Sequence, residues 1–517
     1  MKKNKYKILL VFILLFIAII PNFSKAAKVS VGQVKNLKVS QIGTTSAVFN
    51  WNKVSGITGY RIYISYEPGN EYKYCGTSST NKITINKLVS GQGYKVRVRA
   101  FKNNGKKIVY YGQYSNVVKF SPIPVKVTNI VATSQTDTSI KLTWKKVSRA
   151  NGYYVYMKNL NTGKYQYYGQ TRNLYMNIEK LNPAQTYIVS VRAYKSLSGV
   201  KYFSAFSNEV QVVTAPKKVS GLKVSSVKEN SIKIQWSKVD KANGYAVYVY
   251  RESGQEFKLY TTTKDTSINI TNLEAAKFYK IFVKSYITVN KKSYYSQASS
   301  TISQKTNSTA TSKAGIDVSQ HQGKIDWDKV KKLGVDFAII RLGWIGNFEN
   351  HTLDKQFERN YSECKRLGIP VGVYIYCYSN RPDTARSGAK WTVEKLKGKK
   401  LELPVFIDME DISIVNTGKK NLSDICVAFN TIISEANFKP GIYANRNWFD
   451  NYLDNQLKTK YTCWIAHYTS NENINYRDTY EIWQYSSVGL ANGINGNVDL
   501  DIMYIKVDEE EQPEKTK

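Results

Sequence analysis

Residues 404–411 read Pro-Val-Phe-Ile-Asp-Met-Glu-Asp, an apolar run that passes directly into carboxylates. Proline opens the run, and β-branched and aromatic residues fill it, which predicts a short buried strand. Because alternate side chains of a strand point to the same face, Asp408 and Glu410 are expected to share one face. Burying two carboxyls costs free energy unless they are used, so the pair is either a functional site or a polar strand end.

The sequence around this run alternates short apolar segments with amphipathic ones from residue 314 to residue 506. Apolar runs begin at residues 316, 337, 370, 403, 441, 464, 482 and 498. Helical patterns separate the early runs, at residues 327–333, 353–367, 384–396, 423–437 and 448–457. This alternation predicts parallel strands with right-handed crossovers, in an α/β barrel or an open sheet. The domain is shorter than the roughly 250 residues of a complete eight-helix barrel, because the last three strands lack full helices.

Acidic side chains mark the predicted ends of strands one, four and eight: Asp317, Asp408 with Glu410, and Asp499. Chemistry in a barrel gathers where strands end, so these acids are expected at one mouth. Residues predicted to bind substrate around them are Arg341, Tyr374, Tyr376, Tyr443, Trp464, Tyr468, Trp483 and Gln484. Carboxylates for acid–base work beside flat rings that stack on pyranose faces are what a sugar-cleaving site needs.

The same motifs resemble a known enzyme family. Residues 314–327, Ala-Gly-Ile-Asp-Val-Ser-Gln-His-Gln-Gly-Lys-Ile-Asp-Trp, resemble the opening of glycoside hydrolase family 25, the secreted lysozymes. The Asp-Met-Glu at 408–410 resembles that family's catalytic pair, and residues 464–466, 483–485 and 497–499 resemble its later strands. The resemblance implies a TIM-like (β/α)5(β)3 barrel, an N-acetylmuramidase activity, Glu410 as the acid and Asp408 as its support. It also implies that Asp317 and Asp499 line the cleft; Asp501 falls where the family varies and is left out of the catalytic set.

Two reaction routes stay open for the Asp408–Glu410 pair. Residues i and i+2 of one strand have backbones about 6.6–6.8 Å apart. That exceeds the roughly 5–5.5 Å at which a carboxylate acts directly as nucleophile. Either the substrate's own acetamido group attacks while Asp408 polarises it, or Asp408 activates a water and the centre inverts. The first route is favoured because the resemblance implies an N-acetyl sugar.

The front of the chain repeats itself with a period of about ninety residues. Trp51, Trp144 and Trp236 recur at this spacing, and so do a Gly-Tyr pair and a Leu followed six residues later by Tyr. Short alternating strands without helical periodicity indicate all-β sandwiches. The Trp and Tyr positions resemble fibronectin type III domains, which are placed at residues 30–121, 123–215 and 217–305. The three tryptophans are therefore interpreted as core residues, and the resemblance says little about function.

Charge is distributed unevenly along the chain, whose net charge is +36. Residues 1–310 hold 48 Lys and Arg against 11 Asp and Glu, whereas residues 311–517 hold 27 against 28. A basic module of this kind favours anionic partners. Residues 1–26 have the basic, apolar and small-residue regions of a secretion signal, so cell-wall polyanions or anionic lipids are expected rather than nucleic acid. No stable membrane insertion is expected after signal cleavage. Residues 306–313 are interpreted as a flexible linker and residues 507–517 as a disordered acidic tail.

The resulting hypothesis is a secreted or wall-associated peptidoglycan hydrolase that cleaves the β-1,4 bond between N-acetylmuramic acid and N-acetylglucosamine. The alternative is a surface adhesin that binds glycan without turnover. A chitinase is disfavoured because its Asp-x-x-Asp-x-Asp-x-Glu strand is absent. The histidines are scattered and no Cys-x-x-Cys pair occurs, so no metal and no cofactor is expected. The pairing of the five cysteines is left open.

Overall fold

A computed structural model describes residues 29–105, 109–251, 255–347, 350–468 and 481–505. The predicted signal at residues 1–26 and the predicted tail at 507–517 lie outside the described residues. By their internal contacts, residues 1–133, 141–177 and 187–212 form one compact unit, and the remaining residues form a second. The first unit holds the first repeat and much of the second. The second unit holds the third repeat and the barrel-forming region.

The first repeat folds into two antiparallel sheets. Its strands are β1 (Lys38–Ile42), β2 (Ala47–Asn50), β3 (Gly59–Tyr66), β4 (Lys73–Ser78), β5 (Lys82–Ile85), β6 (Tyr94–Asn103), β7 (Val109–Tyr111) and β8 (Val118–Phe120). One sheet has the order β1-β2-β5, and the other has the order β4-β3-β6-β7 with β8 also paired to β6. Alternation along β6 places Val96 and Val98 in the core and Arg97 and Arg99 on the outer face.

The second and third repeats use the same strand order. The second has β9 (Val131–Gln135), β10 (Ile140–Thr143), β11 (Gly152–Lys158), β12 (Tyr165–Thr171), β13 (Tyr175–Ile178), β14 (Thr186–Leu197), β15 (Val200–Phe203) and β16 (Val210–Val213). The third has β17 (Lys223–Val227), β18 (Ile232–Gln235), β19 (Gly244–Arg251), β20 (Glu256–Thr263), β21 (Ser267–Ile270), β22 (Phe278–Val289), β23 (Lys292–Tyr295) and β24 (Ile302–Lys305).

The three repeated tryptophans are core residues, as the sequence predicts. Trp51, Trp144 and Trp236 are all buried. The predicted tyrosine corner forms in the first and third repeats, where the hydroxyl oxygens of Tyr94 and Tyr279 accept backbone N–H bonds of 2.9 and 2.8 Å. Such bonds satisfy loop amides that would otherwise be buried without a partner.

The barrel region alternates strands with helices. Its strands are β25 (Ser312–Val318), β26 (Phe337–Ile345), β27 (His351–Leu353), β28 (Val371–Cys377), β29 (Val405–Asp408), β30 (Pro440–Asn445), β31 (Thr462–Ala466), β32 (Ile482–Gly489) and β33 (Val498–Tyr504). Its α-helices are α1 (Trp327–Lys332), α2 (Phe357–Arg366), α3 (Pro382–Lys395), α4 (Lys419–Glu435), α5 (Arg446–Asn451) and α6 (Gln456–Lys460). Short 3-10 helices follow β25 and β29, at Gln320–Gln322 and Val415–Thr417.

In the described part of the chain, eight of these strands close a barrel in the order β25-β33-β32-β31-β30-β29-β28-β26, and β26 pairs back to β25. All neighbours are parallel except β33, which runs antiparallel to both β32 and β25. The helices follow the first five strands, so the predicted TIM-like (β/α)5(β)3 barrel is confirmed. The short β27 was not predicted and pairs with the end of β26.

The decisive run forms β29, whose four residues are all buried. Phe406 packs inside the barrel, while Val405 and Ile407 face the helices, which explains why the strand is apolar on both sides. Gly441 on β30 permits this arrangement, because a Cβ there would lie 2.4 Å from the Phe406 ring. The strand ends at Asp408, two residues before Glu410. Even so, buried Met409 packs in the outer core, so the expected alternation continues.

The segment expected to be a free linker is structured instead. Residues 302–305 form β24, and the Thr306 amide donates to the Lys277 carbonyl at 3.0 Å. Asp336 accepts hydrogen bonds from the Ser308 hydroxyl and, at 2.8 Å, from the Ala314 amide. The expectation of a flexible tether at 306–313 is therefore wrong, because polar composition does not reveal backbone groups that have partners in the fold.

The third repeat packs directly against the outer face of β32. The Phe278 amide donates to the Tyr485 hydroxyl at 2.9 Å, and Lys280 Nζ donates to the Val488 carbonyl at 2.8 Å. Phe278 is buried in the same apolar cluster as the outer core of the barrel. The Lys277 ammonium lies 4.9 Å from the Trp483 ring centroid, within cation–π range. The third repeat and the barrel therefore share one core.

All five cysteines lie among the described residues as free thiols, and all but Cys75 are buried. No helix in the described part of the chain is long and apolar enough to cross a membrane.

Candidate active site

The first and last strands of the barrel bring three aspartates together. Asp317 on β25 stands directly opposite Asp499 on β33 in the antiparallel register. Asp501, two residues along β33, points to the same face by strand alternation and is fully buried. Burial and the charge of Asp499 raise the pKa of Asp317 well above the usual carboxyl range. Burial also raises the pKa of Asp501, and it raises the pKa of Asp499 to about 6.

Gln484 on β32 holds the centre of this cluster in place. Its Nε2 donates to Asp317 Oδ2 at 2.7 Å. Its Oε1 accepts hydrogen bonds from the hydroxyls of Tyr443 and Tyr468, both at 2.9 Å. Because one amide must present its nitrogen to Asp317 and its oxygen to two phenols, its orientation is fully determined. The network fixes the Asp317 carboxyl.

Asp408 lies in the same interior layer as the three aspartates. Its pKa is raised well above the ordinary value by burial and by the neighbouring charge of Glu410, with Arg341 opposing the rise. Among the described residues, its Oδ1 is buried and has no hydrogen-bond partner. A buried, unpartnered carboxyl oxygen is costly and is often found where function requires it. Asp408 thus retains one oxygen for a donor from outside the protein.

Glu410 lies at the border between this buried layer and solvent. Burial and the charges of Asp499 and Asp411 raise its pKa, so the carboxyl retains its proton to higher pH than usual. It lines a cleft of about 550 Å³ with Tyr443, Tyr468 and residues of the β30–α5 and β31 ends. Within the described residues, no hydrogen bond to its carboxyl occurs. An acid that carries its proton and faces an open cleft can act as a proton donor.

Three of the predicted substrate-binding residues surround the acids but already have partners. Arg341 Nε forms a 2.8 Å ion pair with buried Asp354, which also accepts the Gln320 amide at 3.0 Å. The Tyr376 hydroxyl donates to Asp411 Oδ2 at 3.0 Å. Tyr374 packs edge-on to a tryptophan inside the barrel, and its pKa is raised by burial and by the nearby charge of Asp317. Their direct contact with substrate remains a prediction.

Two predicted sugar platforms are wrong. Trp464 is enclosed inside the barrel, where its ring packs on Tyr443 and its Nε1 donates to Asp501 Oδ1 at 2.8 Å. Trp483 points away from the mouth into the outer core, and its Nε1 donates to the His467 carbonyl at 2.8 Å. Neither ring has a face open to a sugar. Tyr468, which is 43% exposed at the cleft, is the better candidate for a stacking surface.

Sequence reasoning missed some residues of the site. Asp501 could have been found, because its i, i+2 spacing from Asp499 places both on the inner face of one strand. Asp354 follows the unpredicted β27 and forms an ion pair with Arg341. No spacing of residues in the sequence predicts this pair. Asn445, Arg446 and Asn447 line the cleft at the start of α5. These polar residues lie where a helix begins, and polar residues are common at helix starts for structural reasons alone. Their sequence pattern therefore does not indicate a functional role.

A barrel with buried carboxyls at one mouth, and an acid of raised pKa beside an open cleft, is typical of glycoside hydrolases built on TIM-like folds. The sequence profile described as "Glycosyl hydrolases family 25" matches residues 316–494. The fibronectin type III profile matches residues 32–117, 125–209 and 215–304. The chain therefore carries a glycosyl hydrolase family 25 domain at residues 316–494, preceded by three fibronectin type III domains.

Several known proteins are similar to parts of this chain. The "Autolytic lysozyme" of Clostridium acetobutylicum is 29% identical over 191 residues, which cover 36% of this chain and 54% of that protein. The "Uncharacterized protein YegX" of Escherichia coli O157:H7 is 28% identical over 191 residues, or 36% of this chain and 68% of that protein. The modular autolysin LytC of Streptococcus pneumoniae, solved with a synthetic peptidoglycan ligand, is 20% identical with a TM-score of 0.36. That match covers 68% of this chain and 72% of LytC.

Proposed function

We propose that this protein is an N-acetylmuramidase that cleaves the β-1,4 bond between N-acetylmuramic acid and N-acetylglucosamine in peptidoglycan. The observation that carries the proposal is the position of Glu410, which bears a raised pKa beside a cleft and a buried layer of carboxyls. The sequence similarity to an autolytic lysozyme supports a peptidoglycan substrate.

Glu410 acts as the general acid in this proposal. Its raised pKa keeps the carboxyl protonated as the substrate enters, and the proton passes to the glycosidic oxygen as the bond breaks. The enclosed layer of Asp317, Asp499 and Asp501 keeps negative charge close to the developing positive charge of the sugar ring. Activity should therefore fall as pH rises through the Glu410 pKa.

Asp408 supports the attack of the substrate's own acetamido group. Its unpartnered Oδ1 is suited to accept the N–H of that group, which orients the acetamido oxygen toward the anomeric carbon. This route retains the configuration of the anomeric carbon in the first product. The competing route, in which Asp408 activates a water, would invert it.

The basic repeats associate the enzyme with anionic wall polymers. The front half of the chain carries the excess of cations, and residues 1–26 support export to the place where such polymers lie. In this proposal the protein is secreted and remains wall-associated through charge.

The test is digestion of purified peptidoglycan by the full-length protein, followed by mass spectrometry of the reduced fragments. Fragments that end in reduced N-acetylmuramic acid are expected. Glu410→Gln keeps the shape but removes the proton donor, so turnover should fall by about 10²- to 10⁴-fold. Glu394→Gln, at an exposed acid on α3, is the matched control and should retain full activity.

Two outcomes would contradict the proposal. Reduced N-acetylglucosamine at the new ends would assign a different bond. Binding of peptidoglycan by the wild type without any turnover would favour the adhesin, and equal rates for Glu410→Gln and Glu394→Gln would remove Glu410 from the acid role.

A further inference from the structure

The outer face of the first repeat carries three arginines in a row, defined here as the arginine row: Arg61 on β3, and Arg97 and Arg99 on β6. Arg61 stands directly opposite Arg99 in the antiparallel register, and Tyr63 stands opposite Arg97. Like charges placed directly opposite each other on neighbouring strands are destabilising. An arginine cannot relieve that repulsion by losing its proton.

Tyrosine rings hold the guanidinium groups in fixed positions. Arg97 Cζ lies 3.9 Å from the ring centroid of Tyr72 and 3.8 Å from that of Tyr114, so its guanidinium contacts two rings. Arg99 Cζ lies 3.7 Å from the Tyr111 centroid. Arg99 Nη2 also donates to the Tyr63 hydroxyl at 2.7 Å. Stacking of this kind orients a guanidinium while leaving its charge intact.

No carboxylate neutralises the arginine row. Within the described residues, none of its three members forms an ion pair, and each Nε is buried without a hydrogen-bond partner. Residues 106–108, beside β7, are Lys-Lys-Ile and bring no acid. The first repeat has only two acids in its sequence, and one of them, Glu67, is paired with Lys95 and Lys119 at 3.1 and 3.2 Å.

The fold does not require these arginines, as the other repeats demonstrate. The pair equivalent to Arg61 and Arg99 is Tyr154 and Arg192 in the second repeat, and Ala246 and Lys284 in the third. The position of Arg97 is held by Ser190 and by Phe282. The same sheet therefore forms with one cation where the first repeat has three. The clustered charge is a feature of the first repeat alone and needs a reason other than folding.

We infer that the arginine row is a binding site for a phosphodiester-linked polyol polymer of the cell wall. Planar guanidinium edges match phosphate oxygens in a bidentate manner. The Cα atoms of Arg97 and Arg99 are about 6.6–6.8 Å apart along one strand, and the Cα atom of Arg61 lies about 5 Å across from that of Arg99. A row of this kind contacts successive phosphates of an extended chain, whereas a site for a single ion would converge on one point. The choice of a wall polymer over other polyphosphates rests on the proposed function.

The test measures binding of full-length protein to poly(glycerol phosphate) over a range of salt concentrations. The triple variant Arg61→Gln/Arg97→Gln/Arg99→Gln is compared with Lys35→Gln/Lys38→Gln/Lys82→Gln. The control removes the same charge from exposed lysines that lie outside the arginine row. The arginine variant should bind at least about tenfold more weakly. The slope of log binding constant against log salt concentration should decrease in magnitude by about two for the arginine variant. The affinity of the control variant should stay within about threefold of wild type.

Several readouts keep the result interpretable. Melting temperature and turnover of soluble muropeptides should be unchanged in both variants, which separates this site from the barrel chemistry. Equal weakening of both variants would show that net charge alone binds the polymer and would overturn the site. Tighter binding of duplex DNA than of poly(glycerol phosphate), at equal phosphate and salt, would overturn the wall polymer as its ligand.

Discussion

Two clusters of like charge differ in how the protein tolerates them. The acid cluster is Asp317, Asp408, Asp499 and Asp501; Asp499 is half-buried and the other three are buried in the barrel. Its carboxyls remain partly protonated because burial raises their pKa values. The arginine row cannot lose protons, so it stays at the surface with its groups stacked on tyrosines. A buried cluster of acids can lower its net charge by retaining protons, whereas arginines remain fully charged and must be satisfied from outside.

The largest expected effect concerns the contact between the third repeat and the barrel. A chain that begins at residue 313 loses the burial of Phe278 and the hydrogen bonds at Tyr485 and Val488. These contacts contribute on the order of 5 kcal/mol together. We expect the barrel to melt about 10 °C lower or more by calorimetry. A chain that begins at residue 216 lacks the arginine row but keeps the third repeat, and it should melt as the full-length barrel does. Equal melting of both chains would contradict the shared core.

The next effect tests the role of Asp408, the buried acid at the end of β29. Asp408→Asn removes the charge that supports the acetamido group, and turnover should fall by about 10²- to 10³-fold. Nuclear magnetic resonance of the first product of the wild type should show a retained anomer. A directly inverted product would refute the acetamido route while leaving Glu410 as the acid. Asp424→Asn, at an exposed acid on α4, is the matched control.

A pH series separates the two clusters further. A carboxyl whose pKa is raised by folding stabilises the fold at low pH. That stability is lost as pH rises from its unfolded value of about 4 through its folded pKa. For Asp499 the window ends at about pH 6. Asp499→Asn should therefore remove this loss, so between pH 4.5 and pH 7 the unfolding free energy of the variant should fall less than that of wild type, by on the order of 2 kcal/mol. The measurement is the unfolding free energy at pH 4.5 and pH 7. The triple variant of the arginine row should show the same pH dependence as wild type, and a changed dependence there would break the comparison.

The smallest effect isolates one hydrogen bond between the third repeat and the barrel. Tyr485→Phe leaves the buried Phe278 amide without its acceptor, which should cost about 1–3 kcal/mol. Chemical denaturation of the full-length protein measures it. The matched change Tyr461→Phe lies elsewhere on the barrel and should cost less. A larger loss of stability for Tyr461→Phe than for Tyr485→Phe would contradict the importance of the Phe278–Tyr485 hydrogen bond.

Much of the fold could be predicted because periodicity reports burial. Alternation around Asp408 and Glu410 identified the decisive strand, and acids at strands one, four and eight do meet in the structure. Trp483 was misassigned because β32 is aromatic on its outer face, and nothing local reveals that another domain covers that face. The linker was misassigned for the same reason, since its polar residues have partners far away in sequence. What the sequence could not supply was long-range contact between domains.

The closure of the barrel has a consequence for when the acid cluster is assembled. Asp317 lies on the first barrel strand and Asp499 on the last, and their pairing forms only when β33 enters between β25 and β32. Contacts this distant in sequence form late in folding, and chains emerge from synthesis with the N-terminal end first. A growing or C-terminally clipped chain therefore carries Glu410 without the acids that tune it. Under the proposed function, the polypeptide would stay inactive until β33 is in place, so the order of the strands along the chain would set when cleavage can begin.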